Sequence, residues 1–377
     1  MAKLAPGVKL LRSLTRAAKL HQKRTAKLLA AATPTPPKPL RVPKTPKPPP
    51  RPRLSPAATP PPGTWLVAQH ALPSTPGLHM LYWLYVPSCM PDTVAQHGWP
   101  LVVMLHGCQQ NATQFAEGTR MNRLAQDKGY AVLYPQQLLS VQPQRCWRWY
   151  DRAIEQGGGE TTVLAQLIGK VCEQHPIDCR RIYACGLSAG AGMAAVLALN
   201  HPELIAAVGL HSSPVVGAGH GPLAALQVMR HGAPVQADAA IAGLLERRSR
   251  QAFPATAAPM PPMPAILIQG ANDRVVNPLN QQLLAHQWLQ LNGLPVGPAS
   301  RVTVKAAALR GGRRAHEIHD YLVGRKVVLR VARIAGLGHA WSGGDPALKF
   351  NAGGGPDASR MMLDFFGRHR RQAGARR

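Results

Sequence analysis

The pattern of apolar and polar positions changes twice along the chain. Over residues 1–33, Leu4, Val8, Leu11, Leu14, Ala18 and Leu29 fall on one side of a helix that turns about 100° per residue. Lys9, Arg12, Arg16, Lys19, Lys23 and Lys27 fall on the other, with Lys3 out of register. That pattern predicts a basic amphipathic helix. Residues 34–62 hold 14 of the chain's 37 prolines, with Lys and Arg between them. Such a segment is an extended, semi-rigid linker that cannot join a packed core. From residue 63 onward, short apolar runs alternate with stretches of helical period. Strands are expected at 64–68, 78–87, 100–105, 130–134, 181–185, 205–210, 264–268 and 327–334, and helices at 112–128, 160–174, 191–200, 279–291 and 357–366. The run at 100–105 is apolar throughout, as in a strand buried on both faces of a mostly parallel sheet. The alternation predicts an α/β domain over 63–377, with helices on both faces of the sheet. An Ala- and Pro-rich stretch at about 212–262 is expected to be a helical insert or lid.

Charge sharpens the division. The 377 residues carry 44 Lys or Arg against 17 Asp or Glu, a net charge of +27. The first acid is Asp92, so the segment before it holds 14 basic residues and no acidic ones. A basic amphipathic segment suits an anionic or apolar surface: a lipid layer, a granule coat, an anionic polymer or a nucleic acid. No run of 18 apolar residues occurs, which excludes a membrane-spanning helix by sequence. The best apolar stretch near the start, residues 28–32, is short for a signal-peptide core. The expectation is a cytoplasmic protein, with secretion as the alternative. Six cysteines are too few for a disulfide scaffold. Cys108 and Cys146 form one possible pair if the protein is exported, and Cys172 and Cys179 another; in a reducing cytoplasm all four are thiols.

The candidate chemistry centres on Gly186-Leu187-Ser188-Ala189-Gly190. It follows an expected strand and opens an expected helix, the context of a nucleophile elbow. A serine needs a base, and the base needs an orienting acid. Asp273 follows the strand at 264–268 and is the expected acid; Asp320 and Asp345 lack a suitable strand before them. His339, in Gly336-Leu337-Gly338-His339-Ala340-Trp341, follows the last strand and is the expected base. His316 and His319 fall in an expected hairpin, and packing or capping accounts for His201 and His211. The backbone N–H groups of Cys108 and Ala189 are the expected oxyanion hole, with His106 bracing its loop. Trp341, Trp147 and Trp149 are candidates for an apolar acyl groove, and core packing is the other role open to Trp147 and Trp149.

Three motifs in this order, His106-Gly107-Cys108-Gln109-Gln110, the Gly186–Gly190 elbow and Gly338-His339-Ala340-Trp341-Ser342-Gly343-Gly344, resemble the catalytic domain of poly(3-hydroxybutyrate) depolymerases and the related feruloyl and acetylxylan esterases. The resemblance covers roughly residues 75–367. It implies an α/β-hydrolase fold and a serine esterase mechanism without metal or cofactor, in which Ser188 attacks a polyester carbonyl and His339 relays its proton. The layout, with a basic segment ahead of the catalytic domain, points to an enzyme on intracellular polyester granules. A secreted carboxylesterase for plant-wall or small aromatic esters is the second expectation. A basic granule- or DNA-binding protein with a relict hydrolase domain is the third.

Overall fold

In the computed structural model, ten strands form one sheet in the order β1-β2-β4-β3-β5-β6-β7-β10-β9-β8. They are β1 (Gly63–Ala71), β2 (His79–Pro87), β3 (Trp99–Leu105), β4 (Ala131–Pro135), β5 (Ile177–Leu187), β6 (Ala207–His211), β7 (Ala265–Gly270), β8 (Arg301–Lys305), β9 (His316–Val323) and β10 (Lys326–Ile334). The central pairings from β4 through β3, β5, β6 and β7 to β10 are all parallel. The edges are antiparallel: β1 and β2 on one side, β9 and β8 on the other. The structure describes residues 61–71, 79–89, 91–251, 262–308 and 312–371. The chain divides into two units after Ala58, and all of these residues belong to the second. The amphipathic helix expected over 1–33, and all but the last two residues of the linker expected over 34–62, lie outside the described residues.

The helices are α1 (Asp92–His97), α2 (Ala112–Thr119), α3 (Met121–Lys128), α4 (Arg152–Glu155), α5 (Glu160–Gln174), α6 (Ala189–Asn200), α7 (Pro222–His231), α8 (Pro234–Gln251), α9 (Leu279–Leu291) and α10 (Ala358–Phe366). Alternate residues of each central strand feed opposite layers. Leu101, Val103 and Leu105 of β3 pack in one cluster with Leu164, Leu167 and Ile168 of α5 and the buried length of α6. Val102 and Met104 pack on the other face with Phe115 of α2, Met121 of α3 and Met362 and Phe366 of α10. Both faces are covered, so the strand must be apolar at every position. No helix among the described residues is long and apolar enough to cross a membrane.

Two differences from the sequence reading have local causes. The helix expected over 112–128 breaks in two at Arg120, which adopts a left-handed conformation with φ 55°. The Thr119 hydroxyl there turns back onto the Phe115 carbonyl at 2.7 Å, a bond that competes with helical geometry. β8 extends the sheet beyond the expected strands and hairpin; the Asp320 carboxylate on β9 is gripped by Arg330 at 2.7 Å and by Arg301. The insert at 212–262 carries α7 and α8, with residues 252–261 outside the described set. It is fastened to α9 by the Gln287 amide, which donates to the Val216 and Ala237 carbonyls at 2.9 Å each.

Candidate active site

Strand β5 delivers Ser188 into the turn before α6 at φ 57°, ψ −123°. Such a conformation costs a non-glycine residue about 1–3 kcal/mol and must be held by its surroundings. The holding is steric. A Cβ on Gly186 would strike the Leu105 carbonyl and the backbone of Gly190, and one on Gly190 would strike the carbonyls of Leu105 and His106. The glycines at both ends of the motif therefore let the turn press against the end of β3. The Ser188 N–H donates to the His211 carbonyl at 2.9 Å, and its own carbonyl accepts from Gly192 N at 3.0 Å. From Ala189 to Leu199 every residue of α6 is buried. Gly192 leaves room there for the indole of Trp149.

The acid and base stand on neighbouring strand ends. Asp273 follows β7, and His339 follows the adjacent β10. His339 Nδ1–H donates to Asp273 Oδ2 at 2.9 Å. The other carboxylate oxygen accepts the N–H groups of Val275 and Val276 at 2.9 Å each, and the Gln269 amide donates to Oδ2 at 3.1 Å. Burial works against the charge on Asp273, but the His339 contact and these N–H donors outweigh it and hold the carboxyl below its ordinary pKa. The two loops are also sewn together along their backbones. Ala271 N donates to Ile334 O at 2.8 Å and Asn272 N to Leu337 O at 2.9 Å. Gly270 permits this approach, since a Cβ there would meet the Leu337 carbonyl. Among the described residues no hydrogen bond joins the Ser188 hydroxyl to His339; such contacts often close only with substrate bound.

The expected oxyanion loop abuts the elbow: a Cβ on Gly107 would lie 3.4 Å from the Leu187 carbonyl. Three devices fix this loop. Gln110 Oε1 accepts Gly107 N at 2.9 Å. Gln109 bonds to Gln144 through backbone at 2.7 Å and side chain at 2.8 Å. A disulfide joins Cys108 to Cys146. Neither Cys108 N nor Ala189 N donates to a protein acceptor among the described residues. His106 is fully buried; its Nε2 accepts Gln137 N at 3.2 Å, which leaves Nδ1–H to donate to Gly107 O at 2.9 Å. Burial, aided by the charge of Arg145, lowers its pKa to about 4, so it stays neutral.

Two side chains expected in an acyl groove are placed elsewhere. Trp341 is 0% exposed, donates from Nε1 to Ser359 Oγ at 3.0 Å and meets Phe115 edge-on. Trp147 is also 0% exposed and lies tilted against His106, with ring centres 5.7 Å apart. An indole gains more by burying both faces than by lining a wet cleft. Both therefore brace the loops of Gly107 and His339 from behind and expose no surface in the cleft. Trp149, at 1% exposed, is likewise part of the core.

His211, at the end of β6, has a larger part in the site than packing or capping of its strand. Its ring stacks on Trp341 with centres 5.1 Å apart. Nε2 accepts Ser342 N at 3.2 Å, and Nδ1–H then faces Ser212 Oγ at 3.1 Å. Burial, and then the charge of His339, depresses its pKa to about 3. It is a strut, neutral near neutral pH, between the elbow and the His339 loop. The remaining alternatives are occupied in structural roles: Asp345 pairs with Arg120 at 3.3 Å, His201 with Glu203 at 3.0 Å, and His319 with Glu317 at 3.4 Å, while His316 Nδ1 meets Arg314 O at 3.1 Å.

The family model described as esterase PHB depolymerase matches residues 80–307. The chain belongs to this family. Ser188 and Asp273 lie inside the matched span, and His339 follows it. Over 261 residues the chain is 30% identical to poly(3-hydroxyalkanoate) depolymerase C of Paucimonas lemoignei, covering 68% of this chain and 57% of that protein. Another 170-residue alignment is 31% identical to poly(3-hydroxybutyrate) depolymerase of Ralstonia pickettii, covering 43% of this chain and 35% of that protein. The chain thus spans just over half of one relative and about a third of the other. Among solved structures, an acetyl xylan esterase from Aspergillus awamori superposes with a TM-score of 0.61 at 18% identity, over 81% of this chain and 99% of that one. That likeness fixes the fold as α/β-hydrolase.

Proposed function

We propose that this protein is a serine esterase that hydrolyses poly(3-hydroxybutyrate), or a related hydroxyalkanoate polyester or oligoester, through an acyl-enzyme. The observation that carries the reading is the Asp273–His339 hydrogen bond beside a serine elbow. In this mechanism Ser188 Oγ attacks the ester carbonyl carbon, and its proton passes to His339 Nε2. Asp273 remains an anion against Nδ1–H and stabilises the imidazolium. The charge developing on the carbonyl oxygen is met by the N–H groups of Cys108 and Ala189, the second at the positive end of α6. His339 returns the proton to the departing alkoxide as the C–O bond breaks. Water then gives a proton to His339 and attacks the acyl carbon; as the bond from that carbon to Ser188 Oγ breaks, His339 returns the proton to Oγ and the hydroxy acid leaves. Neutral His211 adds no second cation beside the imidazolium. The polyester names of the two relatives support the substrate class.

In the same reading residues 1–33, rich in cations and without acids, attach the enzyme to the surface of an intracellular granule. The Cys108–Cys146 bridge favours a second reading, since disulfides persist in oxidising compartments. That reading is an exported carboxylesterase for plant-wall or small aromatic esters. Acid release from amorphous poly(3-hydroxybutyrate) granules separates the two, using wild type, Ser188→Ala and a chain lacking residues 1–62. Hydroxy acid from wild type, none from Ser188→Ala, and loss of granule turnover but not of soluble-ester cleavage on truncation supports the granule esterase. Cleavage of aryl or acetyl esters without any hydroxy acid overturns the polyester assignment and leaves the carboxylesterase.

A further inference from the structure

Glu160, the first residue of α5, is a buried acid that the ester-cleaving steps do not use. Both of its carboxylate oxygens face N–H donors. Oε1 accepts from Gln137 Nε2 at 2.6 Å and from Arg148 Nε at 3.3 Å, and Oε2 accepts from Arg148 N at 2.9 Å. Two routes lead from there to Cys108. The first runs through the backbone of Arg148, two places after Cys146, whose sulfur is bonded to Cys108. The second runs through Gln137, which is also buried. Its side-chain amide donates to Cys146 O at 3.2 Å as well, and its backbone N donates to His106 Nε2 at 3.2 Å. The other ring nitrogen, Nδ1, donates to Gly107 O at 2.9 Å. Gly107 O and Cys108 N belong to one planar peptide and point to opposite sides of it. A bond that fixes the carbonyl therefore fixes the direction of the Cys108 N–H.

We propose that Glu160 is a positioning residue for the oxyanion hole. Its carboxylate, through Gln137 and His106 on one side and the Arg148 backbone on the other, sets the aim of the Cys108 N–H. The use made of that N–H rests on the esterase reading above; the hydrogen-bonded tie does not. A carboxylate suits the task because it only accepts. A glutamine of the same shape would turn an NH2 group toward one of the three N–H donors and leave that donor buried without an acceptor, which favours a shift of the loop. The chemistry is sensitive to such a shift. An oxyanion donor must meet the developing charge at about 2.7–3.1 Å, and a donor aimed elsewhere costs the transition state but not the bound ester.

The test is Glu160→Gln in the full-length protein, assayed on a soluble ester and on its thionoester, whose C=S sulfur is a poor acceptor of hydrogen bonds. Wild type should prefer the ester. The variant should lose kcat for the ester on the order of 10–100-fold with KM within about twofold, and lose much less on the thionoester. A merely loosened fold would cut both substrates alike. Hydrogen exchange reads the tie without turnover. The Gln109 amide, next along the loop and bonded to Gln144 O at 2.7 Å, should exchange roughly tenfold faster in the variant. Gln137→Met keeps the bulk and removes the amide that Glu160 holds; it should reproduce both effects, and it carries the test if Glu160→Gln fails to fold. Native kcat, equal losses on the two substrates, or unchanged Gln109 exchange overturns the proposal. If wild type cleaves no ester while Gln109 exchange still rises in the variant, the esterase reading falls and the placing of the loop by Glu160 stands.

Discussion

The turn that carries Ser188 and the loops that carry Asp273 and His339 stand at the same end of the sheet, yet they are held by opposite means. The turn is held by exclusion. Backbone meets backbone at Gly186 and Gly190, and the strained serine has no other place to go. The acid–base pair is held by attraction: one carboxylate takes four donors, among them the imidazole it orients. The first arrangement is sensitive to added atoms, and the second to lost polarity. The two halves of the site should therefore fail in different ways, one by failing to fold and the other by folding without working.

The sharpest break of the comparison is chemical. Ser188→Ala should lower kcat for a soluble ester on the order of 10⁵–10⁶-fold with the melting temperature unchanged or raised, because it removes the proposed nucleophile and no packing contact. Asp273→Asn should cost roughly 10⁴-fold in kcat by favouring the wrong His339 tautomer, while circular dichroism stays native. The same variant tests the electrostatics. Asp273 titrates lower folded than unfolded, so its contribution to stability is complete above the unfolded carboxylate pKa of about 3.9 and is lost as pH falls through the lower folded value. Denaturant melts from pH 6 to pH 2 should show a steeper acid loss in wild type than in Asp273→Asn. Gly190→Ala tests the steric half: a loss of roughly 3 kcal/mol or failure to fold, read by urea melts, is expected. Cys146→Ser should lower kcat roughly 10-fold with KM little changed, since the loop bearing the Cys108 N–H keeps its glutamine ties but loses its covalent one. Smallest of all, Trp341→Phe should cost about 1 kcal/mol for the lost Ser359 hydrogen bond, with kcat nearly intact. A large kcat effect from that variant would return the indole to the substrate side.

The two halves also differed in how far they were legible in the sequence. The elbow is local: strand, turn and helix are consecutive, so its apolar run and paired glycines identify it directly. The order in which Asp273 and His339 follow their strands was legible for the same reason. What stayed hidden was non-local. His211 reaches the Ser342 N–H only because the sheet order places the end of β6 close to the loop after β10. Trp147 and Trp341 sit beside expected catalytic loops in sequence, yet each turns inward, and adjacency along a loop does not reveal which way a side chain faces. β8 was missed because its exposed, charged pattern, Arg301 to Lys305, carries no core signal. The break at Arg120 rests on one hydroxyl and one ion pair that helical periodicity does not encode.

The burial of α6 has a consequence for watching the enzyme at work by isotope labelling. From Gly192 onward its amides are bonded within a helix that has no solvent face, so their deuterium exchange should wait for opening of the whole domain. The amide of Ala189, at the first position of the same helix, is bonded to no protein group among the described residues. Its exchange should follow local solvent entry alone. One short peptide, read against its neighbour, then separates breathing at the Ser188 turn from unfolding of the sheet.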